Sequence, residues 1–234
     1  MKKQITGILI LSMVIMSLLQ GGCTPGVAKP QSLGRDELAA KIAGQMYPGS
    51  TYSVKEGTIY FATQIDANYQ TMYLEQIVYG KFIENHNEYL AVLRAPEEVL
   101  VHAGGFYYAV AAVFDAQTNT MKSQLQTFKA DEGELSIAEG KDRDYIIFMG
   151  SDIFQGWMMP VGGVYDARKG YWEKIWPAKD SFWNDRYGVF GNNRLVLYKR
   201  VEEPHSYETT LPPAHFEPEQ ELIWDRGISG FREP

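Results

Sequence analysis

One stretch of the chain carries apolar residues at the spacing of an amphipathic helix. The apolar positions are Leu38, Ala39, Ile42, Ala43 and Met46. They fall on one face at 3.6 residues per turn. Asp36 and Glu37 precede them, where the helix dipole favours negative charge, and Pro48-Gly49 ends the pattern. The spacing predicts one helix at about 33–47.

Beyond Ser50 the pattern changes to short runs rich in Tyr, Val, Ile and Phe, separated by Gly, Asn and Asp. Such runs are typical of strands joined by turns. They predict fourteen strands, at 51–54, 58–65, 72–83, 89–94, 106–114, 122–128, 134–138, 144–149, 157–165, 171–176, 187–190, 194–201, 206–210 and 220–224. The predicted fold class is therefore all-β with one amino-terminal helix.

Two pairs of predicted strands have similar sequences. The segment 110–116, Val-Ala-Ala-Val-Phe-Asp-Ala, matches 161–167, Val-Gly-Gly-Val-Tyr-Asp-Ala, and the apolar run 89–93 matches 145–149. The offset of about 50 residues is the length of a repeating supersecondary unit. A further copy is predicted to begin at 194–198, and 58–83 is interpreted as a divergent first copy.

A repeat of this length with four antiparallel strands resembles the blade of a β-propeller. The sequence carries neither a WD nor a kelch signature. The resemblance implies repeated four-stranded units in a propeller-like or partial-propeller arrangement. A sandwich or another twisted-sheet arrangement stays open as the alternative.

The amino terminus has the pattern of an export signal. Lys2 and Lys3 precede an uncharged apolar run, and small residues follow at Gly21 and Gly22. The run is shorter than the roughly 20 residues of a membrane-spanning helix, so a removed signal at 1–22 is favoured over a permanent anchor helix.

The junction Leu19-Gln20-Gly21-Gly22-Cys23 resembles the lipobox of bacterial lipoproteins. The resemblance implies cleavage before Cys23 and acyl chains on its thiol, which gives stable membrane anchoring. It covers the first 23 residues; Gln20 stands where the pattern usually has Leu. Residues 23–31 would then be a lipidated tether and 32–234 a single β-rich domain, at the extracytoplasmic face of the cell membrane.

The composition of the chain argues against some classes of binding partner. A formal net charge of −7 argues against nucleic acid, which rewards clustered Lys and Arg, and against broad contact with anionic lipid. A single cysteine forms no internal disulfide. Apolar residues make up 45% of the chain and aromatic residues 13%, which indicates a packed domain.

No recognised catalytic, phosphate-binding or metal-binding motif is present in the sequence. Asp115 and Asp166 end matching runs and are interpreted as turn-capping residues. The acidic stretches 131–134 and 142–144 lack calcium-loop spacing and are interpreted as solvated charge beside a hairpin. The sequence therefore predicts no catalytic residue, no metal and no cofactor. Hydrolysis of sugars by two carboxylates has no local signature and stays open.

The remaining candidates for ligand contact are the aromatic residues at 157–187. Exposed rings stack on sugars or anchor a protein partner, whereas buried rings fill a β core. Phe182 and Trp183 follow Pro177 in a linker-like stretch and are predicted to be exposed. The predicted ligand-binding residues are Trp157, Phe182, Trp183 and Tyr187.

These patterns together predict a lipid-anchored, non-catalytic module of the bacterial envelope whose β-repeat domain binds another envelope component or supports an assembly. The alternative is an envelope protein that binds or hydrolyses carbohydrate through the aromatic residues.

Overall fold

The computed structural model describes residues 33–65, 70–84, 87–96, 107–154, 157–183, 186–202 and 214–234. The elements in chain order are α1 (Arg35–Met46), β1 (Tyr52–Lys55), β2 (Thr58–Phe61), β3 (Thr71–Gly80), β4 (Glu88–Arg94), β5 (Tyr107–Asp115), β6 (Gln126–Ala130), β7 (Glu132–Glu139), β8 (Asp144–Phe154), β9 (Trp157–Arg168), β10 (Tyr171–Trp176), a 3₁₀ helix (Asp180–Trp183), β11 (Arg186–Gly191), β12 (Arg194–Glu202), β13 (Ala214–Asp225) and β14 (Gly230–Arg232). The prediction of a mostly β chain with one amino-terminal helix is confirmed for this part of the chain.

Helix α1 begins and ends within two residues of its predicted bounds. Ala39, Ile42, Ala43 and Met46 are buried, as their spacing requires. The Asp36 carboxylate accepts hydrogen bonds from the backbone N–H groups of Glu56 and Gly57, which fixes the helix on the β1–β2 turn. The helix covers the outer face of the first sheet.

The strands form three antiparallel sheets, each built from consecutive strands. The orders are β1-β2-β3-β4-β5-β6, β10-β9-β8-β7 and β11-β12-β13-β14. The two repeated sequence pairs occupy equivalent strands. The segment 89–93 lies in β4 and its match 145–149 in β8. The segment 110–116 lies in β5 and extends one residue beyond it, and its match 161–167 lies in β9. The repeat is therefore β3–β6 followed by β7–β10.

The layers are stacked in chain order, with a hydrophobic cluster between each neighbouring pair. The first cluster joins α1 to one face of the first sheet. The second joins the other face of that sheet to the second sheet, and the third joins the second sheet to the third. A sheet buried on both faces has nearly continuous apolar strands, which is why β4 and β5 are buried along almost their whole length.

Two details of the predicted organisation differ from the structure. The segment 58–83 is not a separate first copy, because β2 and β3 belong to the same sheet as β4–β6. Strand β14 was not predicted. The three sheets of the described residues do not close into a barrel or propeller, so the propeller-like arrangement stays a prediction.

The predicted strand 206–210 and the whole amino-terminal segment to residue 32, with Cys23, lie outside the described residues. In the described part of the chain, no helix is long and apolar enough to cross a membrane.

Candidate binding clefts along strand β7

Two clefts lie on either side of strand β7, the edge strand of the second sheet. The first cleft is about 290 Å³ and is lined by Glu75, Gln76, Tyr107, Gly133, Glu134 and Leu135. The second cleft is about 190 Å³ and is lined by Glu132, Gly133, Glu134, Ser136, Ile147, Met149, Gly150, Tyr187, Gly188, Val189 and Phe190. Gly133 and Glu134 line both clefts, so β7 forms the wall between them.

A change of register places Glu75 in the first cleft. The pairing of β3 with β4 shifts between Leu74 and Gln76, which leaves Glu75 without a partner in the ladder. Bulges of this kind re-aim a side chain away from the regular alternation. The result is an acidic side chain in the middle of β3, an interior strand of the first sheet.

Arg94 and Tyr107 hold the Glu75 carboxylate. The Arg94 Nη1 atom lies 3.5 Å from Oε1, and the Tyr107 hydroxyl lies 3.4 Å from Oε2. The Arg94 guanidinium also lies over the Tyr107 ring, 4.9 Å from its centroid. Burial raises the pKa of Glu75, and Arg94 and Tyr107 oppose that shift.

Gly133 allows Tyr107 to pack against β7. A Cβ atom at this position would lie 2.8 Å from both the Tyr107 ring and the Phe148 ring, closer than van der Waals contact permits. The two rings stack with their centroids 5.7 Å apart. The glycine therefore sets the depth of the first cleft.

The second cleft lies between β7 and β11, where the third sheet approaches the second. Its β7 wall carries Glu132, Glu134 and Ser136 on one face, opposite Ser151, Met149 and Ile147 of β8 respectively. Directly paired residues share a face of the sheet. The floor of the cleft is therefore apolar, and its rim carries two exposed carboxylates.

Tyr187 is the aromatic wall of the second cleft. It is half-buried and contacts Tyr198 and Phe216, with ring centroids 6.4 and 5.9 Å away. Burial raises the pKa of the Tyr187 phenol, and the negative charges of Glu132 and Glu134 raise it further. The phenol is therefore neutral at physiological pH and available as a hydrogen-bond donor.

The structure brings only part of the predicted aromatic group to a cleft. Tyr187 lines the second cleft. Phe182 is half-buried, and its ring centroid lies 5.0 Å from that of Trp176. Trp157 is the first residue of β9, and its side chain lies outside the described residues. The predicted exposure of Trp183 is wrong.

Trp183 is only 3% exposed and its indole N–H donates to the Gly162 carbonyl at 3.1 Å. The 3₁₀ helix brings it onto Gly188, where a Cβ would lie about 3 Å from its ring. Trp183 thus presents no ring face to a ligand in this structure.

The repeated aspartates have different roles. Asp115 Oδ1 accepts hydrogen bonds from the backbone N–H groups of Gln117 and Thr118, so its interpretation as a turn-capping residue is confirmed. Asp166 is instead 1% exposed within β9, where Arg143 and Arg168 pair with it. Its interpretation as a turn residue is wrong, because β9 continues two residues beyond it.

Glu132 and Glu134 are exposed, as their interpretation as solvated charge predicts, but the sequence did not indicate that they border a cleft. The sequence pattern also indicated no role for Glu75. The available signal was the alternation of Glu132, Glu134 and Ser136 with Leu135, which places the three polar side chains on one face of the strand. Among the described residues, no group of three His, Cys, Asp or Glu side chains is placed to hold a metal ion.

No protein-family model, no curated protein and no solved structure matches this chain.

Proposed function

We propose that this chain is a non-catalytic binding module of the bacterial envelope, held at the extracytoplasmic face of the membrane by lipid on Cys23. Its ligand is another envelope protein, and the two clefts along β7 are where that protein docks. The observation that carries the proposal is the position of the clefts. The first opens between β3 and β7 and the second between β7 and β11, so the two clefts link one strand from each sheet.

This position also supports the blade-like interpretation of the sheets. In the proposal, the three consecutive meanders are blades of an incomplete propeller, in which β7 and β11 are inner edge strands and β3, an interior strand of the first sheet, borders β7 at the first cleft. The blades of a propeller surround a central channel. An incomplete ring leaves that channel open along one side, which suits an extended protein segment.

The anchoring part of the proposal rests on the lipobox-like residues Leu19 to Cys23. Mass spectrometry of membrane-extracted wild type and Cys23→Ala tests it directly. We expect a mature amino terminus at Cys23 with added acyl mass, and loss of both that mass and membrane retention in the variant. An unmodified cysteine in wild type would contradict the anchor.

Site-specific photo-crosslinking in cells tests the docking site. A photoreactive residue at Val189, which is 43% exposed in the second cleft, is expected to trap one discrete protein. The matched control is Tyr171, which is 53% exposed on β10 away from both clefts. Equal crosslinking from the two positions, or none from Val189, would contradict the proposal.

A glycan ligand is the second candidate, favoured by the half-exposed Tyr187 ring beside carboxylates. Sugar rings stack on such aromatic faces and hydrogen-bond to carboxylates. Titration with defined oligosaccharides, followed by loss of binding in Tyr187→Leu, would support it. Product formation in the same titration would establish the hydrolytic form of this alternative.

A further inference from the structure

Strand β7 is the longest edge strand of the three sheets. It has eight residues, whereas the other edge strands in the described ranges, β1, β6, β10, β11 and β14, have four, five, six, six and three. Edge strands are commonly protected from further pairing by charged side chains, proline or a bulge. Strand β7 contains no proline, and its register with β8 has no shift. Only its acidic side chains therefore oppose the pairing of another strand.

The main-chain groups of alternate β7 residues point away from β8. At the turn between the two strands, the Gly140 N–H donates to the Arg143 carbonyl at 2.9 Å. Alternate residues of an antiparallel strand bond to the same neighbour, so the N–H and C=O groups of Gly133, Leu135 and Ile137 lie on the free edge. Within the described ranges, β8 is the only strand that pairs with β7, so these groups have no strand partner.

Trp224 confirms this direction and covers one end of the edge. Its indole N–H donates to the Glu139 carbonyl at 2.7 Å. Glu139 belongs to the same alternate set as Ile137, and its carbonyl faces the third sheet rather than β8. The third sheet thus occupies the carboxyl end of the edge, and the part that both clefts border is 133–136.

The two clefts lie on opposite faces of this edge. Gly133 and Leu135 line the first cleft, whereas Glu132 and Ser136, whose side chains point to the other face, line the second. Successive side chains of a strand point to opposite faces. The side chains of a strand added to β7 would therefore enter the two clefts in turn. Main-chain hydrogen bonds combined with pockets for alternate side chains are the recognition mode of β-strand addition.

The charges around the edge indicate the chemistry of the added strand. Glu75 and Glu134 line the first cleft, Glu132 and Glu134 line the second, and the described residues that line them include no lysine, arginine or histidine. A second copy of β7 would bring further acidic side chains here, and like charges on neighbouring strands are destabilising. A segment with lysine or arginine at alternate positions complements these charges instead.

We infer that β7 binds an extended basic segment of the partner protein as an added strand, through main-chain hydrogen bonds with Gly133, Leu135 and Ile137. The added strand extends the second sheet, and its alternate side chains occupy the two clefts. This inference rests on the proposed function and specifies how the partner is bound.

Hydrogen–deuterium exchange of single amides in the full chain in detergent tests the inference. The probe is a peptide of alternating lysine and valine, acetylated and amidated at its ends. We expect exchange at Leu135 and Ile137 to slow about tenfold or more at saturating peptide, because their N–H groups gain an acceptor. The amides of Glu134 and Ser136 already face β8, so they are the internal control and are expected to change much less.

The matched control peptide has the same side chains and charge but carries methyl groups on its backbone nitrogens. It is expected to leave exchange at Leu135 and Ile137 unchanged, because it has no main-chain donors and its methyl groups prevent close approach. Equal slowing by the two peptides would mean that charge alone holds the segment and would overturn the inference. No slowing by the unmethylated peptide would overturn it as well.

The Ile137→Pro variant tests the edge from the side of the protein. Proline removes an N–H that faces away from β8, and edge strands tolerate it at such positions. Ile137→Ala is the matched control, since it loses the same side-chain packing but keeps the N–H. We expect the proline variant to bind the peptide about tenfold or more weakly than the alanine variant, with urea unfolding as the check that both are folded. Equal binding would contradict strand addition; if the proline variant does not fold, the methylated peptide decides.

Two further outcomes separate the inference from the proposed function. A protein trapped at Val189 in cells, without slowed exchange at Leu135 and Ile137 on addition of the peptide, would leave docking in the clefts intact and refute strand addition. Slowed exchange that appears without peptide and increases with protein concentration would identify a second copy as the occupant and overturn the inference.

Discussion

Glu88 is a carboxylate with a structural role, and its removal gives the largest effect that the contacts predict. It is 0% exposed. Its oxygens accept hydrogen bonds from the backbone N–H groups of Phe82, Ile83 and Glu84 at 2.9, 2.7 and 3.0 Å. The Lys122 ammonium lies 2.6 Å from Oε1. One side chain thereby holds the β3–β4 connection and joins it to the segment before β6.

The Glu88→Gln substitution removes the charge while nearly keeping the shape. Breaking a buried ion pair by removing one partner costs about 3–5 kcal/mol. Lys122 remains 15% exposed and keeps its 2.9 Å contact with Glu84, so the lower end applies. We expect a decrease of about 3 kcal/mol in the free energy of unfolding. Glu88→Ala leaves three N–H groups without an acceptor and is expected to cost more.

Urea unfolding followed by tryptophan fluorescence measures the change, with a constant m-value as the check that the unfolded state is unaltered. Glu84→Gln is the matched control and is expected to change the midpoint little, because Glu84 is exposed. The double variant with Lys122→Met is expected to lose less than the sum of the single variants. A loss below about 1 kcal/mol in Glu88→Gln would refute the reasoning.

Three further changes test other contacts by the same unfolding assay. Burial disfavours the Lys122 ammonium, but the hydrogen bonds of Glu88 and Glu84 outweigh it and raise the pKa of Lys122. The stability that this ammonium contributes is therefore complete below the pKa of an unfolded lysine, about 10.4, and is lost as the pH rises past the higher pKa of the folded state. The Lys122→Met variant is expected to lose less stability than wild type over this pH range. Burial, and then the charge of Asp131, raise the pKa of Asp152. Its carboxylate is thus disfavoured at neutral pH, and Asp152→Asn is expected to raise stability by on the order of 0.5 kcal/mol after solvent screening, a gain that disappears toward pH 4. A destabilised Asp152→Asn at pH 7 would contradict that sign. Gly133→Ala is expected to cost about 2 kcal/mol through overpacking, whereas Gly191→Ala, with no atom within 4 Å of its added Cβ, serves as the tolerated control.

The sequence pattern predicted the elements of this fold because those elements follow local periodicity. Helix α1 follows from its apolar stripe, and most strands follow from runs of β-branched and aromatic residues between turns. Equivalent strands of the repeat were also found, because 110–116 and 161–167 face similar neighbours in consecutive sheets.

The site could not be predicted in the same way, because it depends on how whole sheets pack. The sequence around Glu75 has no pattern that predicts the bulge. Strand β7 comes close to both β3 and β11 only because the three sheets pack face to face. The burial of Trp183 also depends on packing between distant segments. The stretch after Pro177 resembles a linker, but the Trp183 ring packs against Gly188, which has no side chain to block it. Asp166 shares a sequence position with Asp115, but the longer β9 places it in the interior.

The strictly consecutive order of strands in the three sheets has a consequence for folding. Within the described ranges, every sheet consists of strands that follow one another in the chain, and the hydrophobic clusters join each layer to the next. Stability in such a stack is approximately a sum of layer and interface contributions, and folding propagates from one layer to the next. A closed ring would require the last strand to meet the first. Here, a chain that becomes available for folding from its amino terminus can complete α1 and the first sheet while the third sheet is still unfolded. Folding then proceeds from the amino-terminal layer to the carboxyl-terminal layer.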